Sequence, residues 1–148
     1  MDANIWSDDW GEQGEDWSGG GGLAKRLVPS GPFLGASVYE FERGNFMIFH
    51  FHHGSEELLV VLRGTPTLRT FDGERLLEEG EVVHFPTGRE GAHGLRNETG
   101  EPVRFNGMFH PAGSDLTIAE AKRSRISAFG IEYEGKTGLS TSKFSWAA

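Results

Sequence analysis

The sequence predicts an all-β protein, and three observations carry that reading. Short apolar or alternating runs recur about every eight to twelve residues from residue 23 onward, the spacing of a sandwich or barrel. Gly, Pro, Asp and Asn separate those runs at nearly every break. No helix signal precedes Thr117, where Thr117-x-x-Glu120 makes a short capping box for about two turns.

Residues 1–22 form an arm that differs from everything after it. It holds six acids (Asp2, Asp8, Asp9, Glu12, Glu15, Asp16), no base, six glycines, and Trp6, Trp10 and Trp17. Composition reads as a flexible segment, and the Gly19–Gly22 run is costly to hold in a helix or strand. The indoles seek burial, so docking on the barrel or on a partner stands beside a loose tail as a reading.

Residues 23–112 read as the barrel. Runs 23–28 and 36–41 are strand candidates separated by Pro-Ser-Gly-Pro. Residues 44–64, GNFMIFHFHHGSEELLVVLRG, contain two more, broken at Gly54-Ser55. Run 66–71 leads into Asp72-Gly73, a hairpin signal. Runs 75–77 and 81–85, loop 86–92, and runs 93–97 and 103–109 complete the set. Residues 113–148 read as an extension packing on the barrel, with the capping box, one strand candidate at 131–133 and a Ser/Thr-rich end carrying Trp146.

The length of 148 residues fits one domain with its own core. The chain has no cysteine, which excludes disulfides, thiolate chemistry and Cys-held metals, so any metal needs N and O ligands. Net charge is −8, yet beyond the arm sixteen acids face fourteen bases. No basic face emerges for nucleic acid, and Lys122-Arg123-Ser124-Arg125 reads as solvated surface. The first residues lack a basic-then-apolar leader, and no run is long and apolar enough to cross a membrane. The expectation is a soluble, cytoplasmic protein, in which the Asn97-Glu98-Thr99 sequon is idle.

The chemistry concentrates in residues 44–64. His50 and His52 stand two apart on a strand, so both imidazoles point to one side. Glu57 opens the next run. Two imidazoles and a carboxylate on adjoining strands are half of a divalent-metal site. Strand parity prefers Glu57 to its neighbour Glu56, and turns His53 away. With His50 and His52 inward, alternation turns Phe46 and Ile48 inward as well, and Leu59 and Val61 follow Glu57; these four are the expected pocket wall. The opposite faces (Met47, Phe49 and Phe51; Leu58, Val60 and Leu62) are also apolar, which calls for a cover. A second sheet, the Trp-bearing arm or an identical subunit would serve, and the expectation drawn is a homodimer.

The spacing extends downstream. Gly44, five residues, His50-x-His52, four residues, Glu57, six residues, Gly64 is followed by Gly80, five residues, Pro86-x-Gly88, and then His93, three residues, Asn97. This pair of patterns resembles the two-motif signature of the cupin superfamily over about residues 36–110. The first motif matches at every spaced position. The second departs from the pattern, with four residues instead of two between Gly88 and His93. The resemblance implies a small jelly-roll barrel, a double-stranded β-helix, holding one divalent metal in its open end. Carried over, the ligands are His50, His52, Glu57 and His93.

Three neutral imidazoles, one carboxylate and an M²⁺ ion give a site of charge +1. Fe, Mn, Zn, Ni and Co all suit such ligands. Open coordination positions would admit a small organic molecule or O₂. His84 and His110 lie off the motif. Asn97 reads as a turn residue, and Gly64, Gly80 and Gly88 as turn positions. Beyond the ligands no general base stands out; Glu56, Glu90, His110 and Tyr133 are the candidates. Proton-abstracting chemistry needs such a base, so a metal-dependent oxygenase-like enzyme on a small molecule is the leading expectation. A non-catalytic sensor or accessory cupin, and a sugar isomerase or epimerase, are the alternatives.

Overall fold

The computed structural model describes residues 3–11, 19–28, 34–52, 55–109, 129–133 and 136–137. The strands are β1 (Gly19–Gly20), β2 (Leu23–Arg26), β3 (Gly35–Phe41), β4 (Phe46–His52), β5 (Glu57–Arg63) and β6 (Thr67–Thr70). They continue with β7 (Gly73–Leu76), β8 (Val82–Phe85), β9 (His93–Arg96), β10 (Val103–Phe109), β11 (Phe129–Tyr133) and β12 (Lys136–Thr137). A 3₁₀ turn, Arg89–Gly91, lies in the loop before β9. The expected helix after Thr117 and Trp146 lie outside the described residues.

Two antiparallel sheets form the barrel. One runs β12-β11-β4-β9-β6-β7, with β1 also paired to β4, and the other runs β2-β3-β10-β5-β8. Their facing sides bury Phe41, Met47, Leu59, Val61, Leu68, Leu95 and Phe105, all at most 6% exposed. The burial of β5 alternates as two-sided packing requires: Glu57, Leu59 and Val61 are buried, while Leu58, Val60 and Leu62 are half-buried on the outer side. The architecture is the all-β double-stranded β-helix expected.

Three local expectations need correction. Parity turned Phe46 and Ile48 inward on β4, but the β4–β9 pairing slips between Met47 and His50. That irregularity changes which residues face the core: Met47 is buried there at 6%, and Phe46 and Ile48 are half-buried outside it. The glycine run does enter a sheet, because Gly20 pairs with Phe46 so closely that a Cβ there would sit 2.4 Å from the Phe46 carbonyl oxygen. Only glycine fits. The β6–β7 hairpin turns through Phe71-Asp72, with Gly73 (φ 126°) already paired to Thr70.

The described part of the arm docks on the outer side of the β2-β3-β10-β5 sheet. Arg104 of β10 is 1% exposed. Its Nε donates to Glu40 Oε2 at 2.7 Å, Nη1 to the Ile5 carbonyl at 3.0 Å, and Nη2 to Asp8 Oδ1 at 2.6 Å. Trp10 lies over both the Arg104 guanidinium and the Lys25 ammonium, whose Nζ donates to the carbonyls of Ser7 and Asp9. Trp6 stacks under Arg63.

Candidate metal centre

Of the four predicted ligands, His50, His52 and Glu57 converge from two strands, and His93 approaches Glu57 from a third. His50 and His52 project from the same side of β4, and His50 is the register partner of His93 on β9. Glu57 enters from β5, in the opposite sheet. His50, His52 and Glu57 each offer a ligand atom within 4.8 Å of the others'. Glu57 Oε2 lies 3.3 Å from His52 Nε2 and 3.2 Å from His93 Nε2. His50, Glu57 and His93 are buried at 4%, 8% and 0% exposure, while His52 keeps contact with solvent.

The ring orientations are set by the backbone. His50 Nδ1 lies 2.8 Å from the Ile48 carbonyl, and His93 Nδ1 lies 2.8 Å from the Gly91 carbonyl. A carbonyl oxygen only accepts, so each Nδ1 carries a hydrogen and each neutral ring keeps its lone pair on Nε2. Phe85, the register partner of Glu57, stacks on His93 at 3.6 Å with an interplanar angle of 9°. The His50 ring centroid is 5.1 Å from that of His52 and 4.6 Å from that of His93.

Electrostatics match a cation-binding cluster. Burial, helped by the neighbouring His93, drives the His50 pKa down to about 3, so it is neutral at physiological pH. Burial alone would raise Glu57, but His93, His52 and His50 together hold it well below the usual carboxylate range. Glu57 Oε2 and His93 Nε2 are both buried and face each other at 3.2 Å, and the His52 and His93 rings are what hold the Glu57 carboxylate. Atoms each about 2.1 Å from a shared ion sit at about this mutual distance, so the donor set fits a divalent metal.

The other predicted residues fall as follows. Leu59 and Val61 continue inward from Glu57 into the core. Glu56 pairs with His84 at 3.0 Å on the surface, where both are exposed. Asn97 is fully buried and clips its loop, donating to the carbonyls of Phe41 and Glu101 and accepting from Thr99. Arg89 lies over Phe71, while Glu90 lines a cleft of about 330 Å³ shared with Leu68, Arg75, His84, Phe85 and Ala92. None of the four predicted ligands lines that cleft. His53 and His110 lie outside the described residues, as does the side chain of Tyr133.

The longer loop of the second motif is accommodated by folding back. Gly88 N donates to the His52 carbonyl at 2.7 Å, and the Arg89–Gly91 turn returns the chain to β9. A Cβ at Gly91 would sit 1.8 Å from the Pro86 carbonyl oxygen, so this approach requires glycine. Sequence reasoning missed three neighbours of the ligands: Phe85, Tyr39 and Gly107. The glycine inside run 103–109 was the available signal, since a lone glycine within a strand marks close approach.

Comparison with known proteins places this two-sheet barrel and its buried His/Glu cluster in a recognised class. Residues 37–109 match the family model described as Cupin domain. Those residues form a cupin domain, and cupin domains commonly bind a metal. A search of curated proteins finds no match. Among solved structures, TT1209 from Thermus thermophilus is 26% identical, with 61% of this chain and 83% of that one covered and a TM-score of 0.55. A sugar phosphate isomerase of the cupin superfamily from Silicibacter pomeroyi is 22% identical, with 82% of each chain covered and a TM-score of 0.59. KdgF from Halomonas sp. is 20% identical, with 75% of this chain and 97% of that one covered and a TM-score of 0.59. The last two likenesses speak to the fold alone.

Proposed function

We propose that this cupin holds one divalent metal ion through His50, His52, Glu57 and His93 and acts on a small organic molecule beside it as an oxygenase-like enzyme. The observation that carries the reading is the convergence of His50, His52 and Glu57, whose ligand atoms lie within 4.8 Å of one another, with His93 Nε2 3.2 Å from Glu57 Oε2. A divalent ion held by these residues would supply Lewis-acid chemistry and, if redox-active, one-electron chemistry. The chain's own residues do the rest. The Ile48 and Gly91 carbonyls fix the His50 and His93 rings. Phe85 covers one face of His93, while His52 faces the solvent side from which a small molecule enters.

The isomerase alternative has less support because its base is lacking among the sequence candidates whose side chains are described. Glu56 is paired with His84 at the surface, and Glu90 faces the cleft between β7 and β8.

Anaerobic reconstitution with Fe²⁺ followed by O₂-uptake measurements against small hydroxy and oxo compounds tests the proposal. One metal per chain is expected, most of it lost in His52→Ala, with O₂ consumption that depends on the organic compound. Full metal retention by His52→Ala overturns the ligand set. Tight metal without turnover assigns the chain to the sensor or accessory alternative.

A further inference from the structure

The two sheets do not meet everywhere along their sides. β7 ends one sheet and β8 ends the other, and no strand joins them among the described residues. The interior is therefore open between these two edges, and the cleft of about 330 Å³ lies there. Strand pairing says what floors it. Leu68 pairs with Arg75, and Thr70 with Gly73, so these four share the inner face of the β6–β7 hairpin. Val83 and Phe85 pair with Leu59 and Glu57, and share the inner face of β8. Leu68, Val83, Phe85, Pro86 and Ala92 give the cleft an apolar floor.

Charge around the rim is uneven. Arg75 reaches from β7 to Glu81, just before β8, which closes that end and cancels both charges. Glu74 is held by both terminal nitrogens of Arg96, and His84 faces Glu56. Asp72 leads into β7 and Glu90 follows β8, so both stand away from the Arg75–Glu81 bridge. Both are exposed, and among the described residues neither carboxylate has an ion-pair or hydrogen-bond partner. Arg89, next to Glu90 in sequence, lies over Phe71 and does not line the cleft.

We infer that this cleft binds a small organic cation, a primary ammonium on a compact apolar body. Charge complementarity and shape select that class. Two uncancelled carboxylates attract a positive group and repel an anion. A bare metal ion would need oxygen donors on every side, and the side chains of Leu68, Val83, Phe85 and Ala92 offer none. An apolar body instead removes that floor from water. Ligand pockets span roughly 300–1,000 Å³, and this one stands at the small end, the size for a single ring. Phe85 belongs to both sites, stacked on His93 and lining the cleft, but none of the four proposed metal ligands lines it. The inference therefore stands apart from the metal reading.

The test uses the full-length, isotope-labelled chain as purified and again with a chelator. Each sample is titrated with benzylamine, and with benzyl alcohol as its uncharged counterpart, and followed by amide NMR shifts. Shifts should fall on Thr70, Gly73, Val83 and Ala92, equally with and without the chelator. Benzylamine should bind about three- to tenfold more tightly than benzyl alcohol, the ratio expected of two solvent-screened ion pairs. Asp72→Asn and Glu90→Gln should each cut that preference by about two- to threefold, and the double variant should remove it while benzyl alcohol binds as before. Thr70→Phe, which fills the cleft, should weaken both probes, and the double variant keeps the test decisive if Thr70→Phe fails to fold. Binding of neither probe by the wild-type chain, or shifts outside the cleft, overturns the site. So does loss of benzylamine binding on chelation, which would seat the amine on a metal. A preference that survives in the double variant, or displacement of benzylamine by Ca²⁺ at matched ionic strength, overturns the ligand class.

Discussion

His50 is held without its proton by burial and by its neighbours, and this gives the metal-free protein a defined response to acid. Its folded pKa is about 3 against an ordinary value of 6.5. Between those values the unfolded chain binds a proton that the folded chain refuses, so stability rises with pH across the window and falls as pH drops through it. Glu57 acts lower on the scale. Its folded pKa is depressed below the ordinary value of 4.5, so its contribution is present above that value and is lost as pH falls through the folded one. With metal removed by chelation, the melting temperature should decline from about pH 6.5 downward, by an amount equivalent to a few kcal/mol by about pH 4. His50→Leu should flatten that decline between about pH 6.5 and 4.5. An equal slope in the variant would assign the acid response to other groups. Bound metal should suppress the decline near neutrality, because ligation also requires the deprotonated ring.

At the scale of single elements, β4 and the loop before β9 show what was legible in the sequence and what was not. The convergence of His50 and His52 follows from a two-residue spacing, a local property. The phase of Phe46 and Ile48 is not local: it depends on the slip in pairing with β9 between Met47 and His50, which alternation within β4 cannot report. The pairing of Gly19–Gly20 was equally hidden, because composition registers the entropic cost of glycine but not that β4 passes too close for a side chain. The approach of His93 to Glu57 was legible only through motif spacing, and the structure supplies the means in Gly91. Gly91→Ala cannot keep its Cβ 1.8 Å from the Pro86 carbonyl, so the turn must open and carry His93 away from Glu57. Metal affinity should fall on the order of ten- to a hundredfold, as when a ligand's support is lost. Stability should drop by about 1–3 kcal/mol. Gly44→Ala is the control: Gly44 also has a positive φ, 88°, but no neighbour near a Cβ, so it should lose stability without losing metal.

For the whole molecule the telling feature is a cation on the outside of a sheet that water scarcely reaches. Arg104 is 1% exposed although its strand neighbour Phe105 faces the core, so the arm is what covers it. Among the described residues, this face of the β5-containing sheet is met by the chain itself. The apolar pattern behind the homodimer expectation lies on other residues, among them Leu58, Val60 and Leu62, which are half-buried on the outer side of β5. Removing residues 1–11 would strip the guanidinium of Asp8, the Ile5 carbonyl and the Trp10 ring, leaving Glu40. Asp8 is largely exposed, so its share is screened, and the expected loss is about 1–3 kcal/mol in urea unfolding. The truncated chain should also self-associate in light scattering as the uncovered face seeks a partner. Metal content should be unchanged, because Arg104 and Glu57 lie on opposite faces of the sheet. The cause can be isolated by a double-mutant cycle with Arg104→Met, which keeps bulk and removes charge. If the arm is held through Arg104, truncation should cost at least about 1 kcal/mol less in the Arg104→Met background than in the wild type. Additive losses would instead place the attachment of residues 3–11 at Trp6 on Arg63 and at Lys25.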